Sequence, residues 1–129
     1  MKRPLAVMMS RTVRTIQTEA TLLEAAALMR ELRVGALMVE EEGRLVGIVS
    51  ETDLVRKGIA EGRDVRQDKI RAIMSSPIIT IDIDRPAGDA SDLMSEKGIR
   101  HLAVTDGGKI VGVISVRDLL RYYKNWGAF

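Results

Sequence analysis

Residues 46–54 of the chain read VGIVSETDL, and residues 111–119 read VGVISVRDL. The same shift of 65 residues, from 46 to 111, also aligns Met9-Ser10 with Met74-Ser75. The chain therefore contains two copies of one structural unit. Both copies keep a Gly, a Ser and an Asp at fixed offsets, and these residue types serve in turns, caps and polar contacts. We look for function at those positions.

The chain has 129 residues and a hydrophobic content of 46%, which is enough for one compact domain with a core. Each copy has only about 60 residues, near the size at which a single unit is marginally stable. We therefore expect the two copies, residues 1–64 and 65–129, to bury apolar faces against each other as a pseudo-twofold pair. Neither half is expected to fold well alone.

Composition restricts the cellular setting. The chain contains no cysteine, no apolar run near the ~18 residues that a membrane span requires, and no cleavable apolar leader. We expect a soluble cytoplasmic protein with no membrane partner. The isoelectric point is about 9.1, but the formal net charge is only +2, so the charge says little about nucleic acid.

The first copy has the order β-α-β-β-α. Residues 13–16 form a strand-like segment, and Thr21 to Glu24 has the Thr-x-x-Glu form of a capping box that opens a helix. Apolar residues then recur at helical spacing. Two short apolar runs, 36–39 and 45–49, flank a Gly-containing turn and predict an antiparallel hairpin. The hairpin leads directly into a second helix, residues 52–59.

The second copy repeats this order. Strands are predicted at residues 78–81, 102–104 and 110–114, and helices at 86–97 and 117–123. Pro86 suits the first turn of its helix. Between the copies, residues 57–72 are dense in charge and predict an exposed connector.

The repeated Ser-x-x-Asp stretch, Ser50 to Asp53 in the first copy, admits two interpretations. The pattern is a helix cap, and for one isolated instance capping is the better explanation. Alternatively, free N–H groups at the helix start bind an anion, and Ser50, Thr52 and, in the second copy, Arg117 supply further donors for phosphate. The Asp carboxylate then suits a vicinal diol, such as a ribose. Donors for phosphate beside an acceptor for a diol describe a nucleotide site.

With these motifs the whole chain resembles a tandem pair of cystathionine-β-synthase (CBS) domains, also called a Bateman module. The resemblance rests on the Met-Ser leads, the two Thr-Ile segments, residues 98–104 (GIRHLAV) and both Gly-h-h-Ser-x-x-Asp stretches, where h is hydrophobic. It spans about residues 8–123. It implies a mixed α/β (α+β) fold of two β-α-β-β-α repeats. It also implies two clefts for adenosine-containing ligands: AMP, ADP, ATP or S-adenosylmethionine.

The resemblance further implies that each cleft takes the Ser-x-x-Asp motif from one copy and early-strand and hairpin residues from the other. The first cleft would combine Ile48, Ser50, Thr52 and Asp53 with Ile79, Thr80, Ile81, Arg100 and His101. The second would combine Val113, Ser115, Arg117 and Asp118 with Arg14, Thr15, Ile16 and Ala36. Asp would hold the ribose, apolar residues and backbone the adenine, and Ser, Thr, Arg and His the phosphate. Because Gly35-Ala36 replaces Arg100-His101, we expect the Asp53 cleft to be the stronger site.

The sequence has two further features of note, a single histidine and a group of aromatic residues near the C-terminus. His101 is the only histidine, and without Cys or carboxylates at ligand spacing we expect a hydrogen bond or a phosphate contact, with no metal site. The aromatic residues gather at the C-terminus, where they form either a docking surface or part of the packing. They are Tyr122, Tyr123, Trp126 and Phe129.

No cysteine nucleophile, paired Ser and His, phosphate-binding Gly-Lys loop or metal cluster is present in the sequence. We therefore predict a non-catalytic regulatory sensor of adenine nucleotides that uses no catalytic cofactor. By the resemblance, it is a homodimer and acts on a partner through differential affinity between states. Two alternatives stay open. One is a nucleic-acid-binding protein that uses Arg63, Arg66, Lys69 and Arg71, and the other is an assembly module with vestigial clefts.

Overall fold

The computed structural model describes residues 4–125, with side chains described up to residue 122. The chain divides into two compact units. The first-repeat unit is Arg14–Ile78, and the second-repeat unit comprises Ile79–Phe129 together with Met1–Val13. The N-terminal residues of the chain thus belong with the second repeat. The repeat boundaries predicted from the sequence, 1–64 and 65–129, differ from the bounds of these compact units and remain a prediction.

The first-repeat unit is a three-stranded sheet with helices. Its elements are β1 (Thr15–Gln17), α1 (Leu22–Leu32), β2 (Ala36–Glu41), β3 (Arg44–Ser50) and α2 (Glu51–Asp53), which continues as a π-helical segment, Leu54–Ile59, and is followed by a 3₁₀ turn, Ile70–Ala72. The strand order is β1-β2-β3. Strand β1 pairs with β2 in parallel, and β2 pairs with β3 antiparallel. The predicted hairpin is confirmed.

The second-repeat unit has the same topology. Its elements are a 3₁₀ turn, Leu5–Val7, then β4 (Thr80–Asp82), α3 (Ala87–Lys97), β5 (His101–Asp106), β6 (Lys109–Ser115) and α4 (Val116–Asn125). Strand β4 pairs with β5 in parallel, and β5 with β6 antiparallel. Pro86 is the N-cap, not the first helical residue, because its ψ of 155° is extended. The mixed α/β class and the order of elements are confirmed.

The capping box predicted at the start of α1 is present. The Thr21 hydroxyl accepts from the Glu24 N–H at 3.1 Å, and the Glu24 carboxylate accepts from the Thr21 N–H at 2.9 Å. This second bond lowers the pKa of Glu24. Two further N–H groups at the helix start, those of Leu22 and Leu23, donate to connector carbonyls, of Asp68 and Val65. The connector therefore completes the N-terminus of α1.

Each unit has its own apolar core. In the first-repeat unit, Leu22, Ala25 and Met29 of α1 pack on the sheet. The buried side chains Ile70 and Ile73 complete this cluster. The prediction of an exposed connector is therefore wrong at its end, where Ile70 is buried. In the second-repeat unit, the fully buried Leu5 joins the core formed by β4 to α4. Segments outside each β-α-β-β-α repeat thus supply part of its core.

The repeated glycine is explained by a close backbone approach. Ile48 and Ser75 form a bridge of two hydrogen bonds, Ile48 N–H to Ser75 O at 3.0 Å and Ser75 N–H to Ile48 O at 2.8 Å. A Cβ on Gly47 would lie 2.8 Å from that Ser75 oxygen. Gly112 meets the Ser10 carbonyl in the same way. The Met-Ser leads are therefore the segments that lie across β3 and β6.

The helix predicted over residues 52–59 differs from the regular form. Only Glu51–Asp53 is α-helical, and Leu54–Ile59 is π-helical, with the Ala60 N–H donating to Val55 O at 2.9 Å. Arg63 donates from Nε to the Lys57 carbonyl at 3.0 Å. A guanidinium from beyond the helix thus satisfies a carbonyl within the wider turn. π-helical turns often occur at functional sites.

Candidate functional site

Ser50 is the last residue of β3 and the N-cap of α2. Its hydroxyl accepts from the Asp53 N–H at 3.1 Å. In return, Asp53 Oδ2 accepts from the Ser50 N–H at 2.9 Å and from the Ser50 hydroxyl at 3.1 Å. Asp53 is buried, with 8% of its surface exposed. The capping interpretation of this motif is confirmed.

The second repeat has the same geometry. Asp118 Oδ2 accepts from the Ser115 N–H at 2.9 Å and from the Ser115 hydroxyl at 3.0 Å. The Asp118 N–H donates to the Ser115 hydroxyl oxygen at 3.1 Å. Both carboxylates are therefore fixed through Oδ2, and in each the second oxygen, Oδ1, is not used by the cap.

The prediction of free N–H groups at the start of α2 is wrong for two of the first three. The Glu51 N–H donates to Gly35 O at 3.0 Å, and the Asp53 N–H is taken by the Ser50 cap. In the second repeat, the Val116 N–H donates to Arg100 O at 3.0 Å. Because hydrogen bonds to the hairpin and to the cap use these donors, few backbone N–H groups remain to bind an anion at either helix start.

Lys57 lies beside the candidate site and is absent from the residues predicted for it from the sequence. Its ammonium lies 3.2 Å from Asp53 Oδ1. It also lies 3.4 Å from Ile73 O and 3.4 Å from Ser75 Oγ. An Asp four residues before a Lys on a helix is an ion-pair signal that the sequence did contain. The carboxylate at the first-repeat site is therefore already paired with a cation.

Strand register places hairpin residues beside each motif. Ala36 lies opposite Ser50 in the first-repeat unit, and His101 lies opposite Ser115 in the second-repeat unit. Within its own unit, His101 thus neighbours the Ser115 motif, whereas the resemblance assigns it to the Asp53 cleft. The combination of residues from both repeats in one cleft remains a prediction.

The predicted site residues differ in exposure. The exposed ones are suited to side-chain contact, and they are Arg14, Thr15, Thr52, Thr80, Arg100 and Arg117. A second group is half-buried, and it consists of Ala36, Ile48, Ser50, Ile79, His101, Val113, Ser115 and Asp118. Ile16 and Ile81 are buried in the cores of their own units. Those two side chains therefore serve packing.

Thr80 and Ile81 line an open cleft of about 500 Å³ between β4 and α3. Acidic side chains dominate the rest of its lining, which comprises Asp82, Arg85, Asp89, Asp92, Leu93 and Glu96. Such a lining repels phosphate. Within residues 4–125, no group of three or more His, Cys, Asp or Glu side chains is placed to hold a metal ion.

The predicted aromatic surface is only partly described. Tyr122 packs against the core of the second-repeat unit, which favours packing for that residue. The side chains of Tyr123, Trp126 and Phe129 lie outside the described residues. In the described part of the chain, no helix has the length and apolar content to cross a membrane.

Two β-α-β-β-α repeats, each with a Ser-Asp cap where its last strand becomes a helix, define a tandem-repeat module. The CBS domain model matches residues 5–59 and 70–125, and the chain belongs to the CBS domain family. The predicted resemblance is confirmed.

Known relatives share both sequence and fold. An uncharacterized protein of Methanopyrus kandleri, MK0525, is 37% identical over 113 residues, which cover 86% of this chain and 58% of that protein. The chain thus spans little more than half the length of this relative. The crystal structure of an uncharacterized conserved protein from Pyrococcus horikoshii is 31% identical with a TM-score of 0.89, over 96% of this chain and 94% of that one.

Two solved relatives bear on ligands and assembly. The CBS domain pair of protein MJ0100, solved in complex with 5′-methylthioadenosine and S-adenosyl-L-methionine, is 25% identical with a TM-score of 0.81, over 93% of this chain and 98% of that one. A hexameric CBS-CP12 protein from bloom-forming cyanobacteria is 32% identical with a TM-score of 0.82, over 91% of this chain and 69% of that one.

Proposed function

We propose that this chain is a non-catalytic, cytoplasmic regulatory module that binds an adenosine-containing ligand through its Ser-x-x-Asp motifs. The observation that carries the proposal is the Asp53 carboxylate, which is buried and held through Oδ2 by two hydrogen bonds from Ser50. An ionised carboxylate only accepts hydrogen bonds, so it suits a partner with two donors. The ribose of adenosine offers two neighbouring hydroxyls.

The two clefts implied by the resemblance are retained in this proposal. Asp53 holds the ribose in the first cleft and Asp118 in the second, each with the residues assigned above. Ile16 and Ile81 contribute through backbone groups because their side chains are buried. Exposed Arg14, Arg100 and Arg117 are the cations among the assigned residues that are available to a negatively charged ligand.

Local chemistry favours ligands that are recognised through adenosine over those recognised through phosphate. Two of the first three N–H groups of α2 are used by the fold, and four of the six residues that line the cleft beside Thr80 and Ile81 are acidic. The two compounds in the MJ0100 complex are adenosine derivatives without phosphate. Among AMP, ADP, ATP and S-adenosylmethionine, we therefore expect S-adenosylmethionine to bind most tightly.

Calorimetric titration tests the proposal. S-Adenosylmethionine, 5′-methylthioadenosine and AMP are titrated into the protein, with GMP as the matched control for base identity. Ligands that bind the native state raise the melting temperature by mass action, so melts provide a second readout. Binding of the adenosine compounds and not of GMP supports the proposal. Equal binding of GMP, or no binding of any compound, refutes it, and the latter favours an assembly module with vestigial clefts.

We also propose a homodimer that uses the outer faces of the last helix in each repeat. Val55 is 57% exposed and Ile59 is 67% exposed on the helix after Asp53. Leu120 occupies on α4 the position equivalent to Val55 and is 51% exposed. Large apolar side chains exposed at equivalent positions indicate a contact surface. A symmetric dimer would cover such faces in a closed assembly.

The nucleic-acid alternative is weakened by the ion pairs of the connector. Arg71 contacts Glu41, and it lies 3.2 Å from a carboxylate oxygen of Glu19. Both contacts raise the pKa of Arg71. One of the four cations that support this alternative is therefore engaged with acidic side chains, and it would have to leave them before it could contact a phosphate.

A further inference from the structure

We propose that Lys57 competes with a ribose hydroxyl of the ligand for the Asp53 carboxylate, and thereby lowers the affinity of the first-repeat site. The inference rests on the proposed function because it concerns the same carboxylate. It assigns a role in specificity and regulation to a residue outside the Ser-x-x-Asp motif.

The Lys57 ammonium has three N–H donors, and three acceptors surround it. They are Asp53 Oδ1 at 3.2 Å, Ile73 O at 3.4 Å and Ser75 Oγ at 3.4 Å. The Asp53 side chain is only 11% exposed, whereas the Lys57 side chain is 44% exposed. The lysine can therefore move away from the carboxylate toward solvent more easily than the carboxylate can move away from the lysine.

Counting lone pairs shows why the two partners compete. A carboxylate offers about four acceptor sites, two on each oxygen. On Asp53, Oδ2 accepts twice from Ser50, and Oδ1 accepts from Lys57. About one site remains, while a vicinal diol brings two donors. Full engagement of both hydroxyls therefore requires Lys57 to withdraw from Oδ1.

Withdrawal leaves Lys57 with other partners. Ile73 O and Ser75 Oγ remain within reach of the ammonium, and Ser75 lies on the segment that bridges to Ile48 of β3. Ligand binding at Asp53 would thus strengthen the hold of Lys57 on this segment. The lysine links occupation of the site to the Met74-Ser75 lead.

The two repeats differ at this position. Asp118 keeps the Ser115 cap, but the residue four positions on is Tyr122, which packs against the core of its unit. The cation at this helical position is therefore specific to the first repeat. Lys57 opposes the higher affinity that the sequence predicts for the Asp53 site.

The test compares Lys57→Met with Arg56→Met, which removes a neighbouring exposed cation from the same helix. Both are made in an Asp118→Ala background so that one site reports. The probes are adenosine and 2′,3′-dideoxyadenosine, which are uncharged, so that loss of a cation does not act through ligand charge. Lys57→Gln serves as a second variant that keeps a neutral donor, and melts of all ligand-free proteins verify folding.

A partly exposed ion pair of this kind is weak, so we expect Lys57→Met to bind adenosine about two- to fivefold more tightly. The adenosine affinity of Lys57→Gln should lie between that of Lys57→Met and that of the parent protein, which keeps the lysine. Arg56→Met should leave adenosine affinity unchanged, and dideoxyadenosine should bind Lys57→Met and the parent protein equally. If the parent protein binds adenosine and Lys57→Met binds it no more tightly, the proposed competition by Lys57 is wrong, while the proposed function stands. Absence of adenosine binding in every protein overturns the proposed function and this inference with it.

Discussion

Replacement of Gly47 by alanine tests how the repeated motif is built. Gly47 is the first residue of the Gly-h-h-Ser-x-x-Asp stretch, and a Cβ there would lie 2.8 Å from Ser75 O and 2.9 Å from Met74 Sδ. Ordinary carbon contacts begin near 3.4 Å. The methionine can move, but the carbonyl is held in the two-bond bridge to Ile48. Alanine should therefore push this segment away from β3.

The magnitude follows from the groups displaced. Overpacking of this kind costs about 1–3 kcal/mol, and each weakened hydrogen bond of the bridge adds about 0.5–1.5 kcal/mol. With both hydrogen bonds of the bridge weakened, we expect Gly47→Ala to lower the free energy of unfolding by about 2–6 kcal/mol. Gly112→Ala should lower the free energy of unfolding by a similar amount, because its Cβ would meet the Ser10 carbonyl.

Denaturant and thermal unfolding measure this effect. Gly58→Ala is the matched control, since its Cβ would meet the end of the Leu22 side chain at 3.2 Å and a backbone atom, Asp53 O, only at the ordinary contact distance of 4.0 Å. The control should lie within about 1 kcal/mol of the unaltered protein, because alanine also favours the helix. Gly47→Ala that is as stable as the control would refute the close-approach explanation for the glycine.

Three further predictions concern charge, assembly and the extent of the units. Hydrogen bonds from Arg71 and then Thr18 hold the pKa of Glu41 below its ordinary 4.5. The ionised Glu41 carboxylate therefore stabilises the folded protein above pH 4.5, and this contribution is lost as the pH falls through the lower pKa of the folded state. Melts should show Glu41→Gln to be less stable than the unaltered chain at neutral pH, and this difference in stability should shrink as the pH falls below 4.5; a difference that stays constant in acid contradicts this. Val55→Asp should shift the mass measured by light scattering from dimer to monomer, and an unchanged dimer would exclude this face. Residues 14–78 should melt at a higher temperature than residues 1–64, which lack the buried Ile70 and Ile73; equal melts would count against the unit boundaries.

The repeats and hairpins were predictable because their signals are local. Short apolar runs around Gly-containing turns define β2-β3 and β5-β6, and the turn residues Gly43 and Gly108 have φ of 79° and 81°, a region that glycine favours. The capping boxes at Thr21 and Ser50 follow from residues three apart in sequence. Predicted strand ends lie within two residues of the observed ones.

The remaining features depend on contacts between residues distant in sequence. The Met-Ser leads could be aligned, but nothing local shows that Ser10 bridges to Val113. The partners of Lys57 at Ile73 and Ser75 lie 16 and 18 residues away. The donors at the start of α2 were predicted to be free because sequence does not reveal that the Gly35 carbonyl takes one of them. Tertiary packing decides each of these cases.

Titration of S-adenosylmethionine into the unaltered protein, Asp53→Ala and Asp118→Ala shows whether the two carboxylates bind the ribose or only cap their helices. If Asp53 accepts ribose hydroxyls, its loss removes charged hydrogen bonds of roughly 1.5–3 kcal/mol each, and affinity at that site falls about tenfold for every 1.4 kcal/mol. Removal of the cap should in either case lower ligand-free stability by about 1 kcal/mol, which melts record separately. We expect each alanine variant to lose or weaken one site and to leave the other unchanged. Unchanged affinity in both variants, with only the melting temperature lowered, would show that the two carboxylates are caps and nothing more.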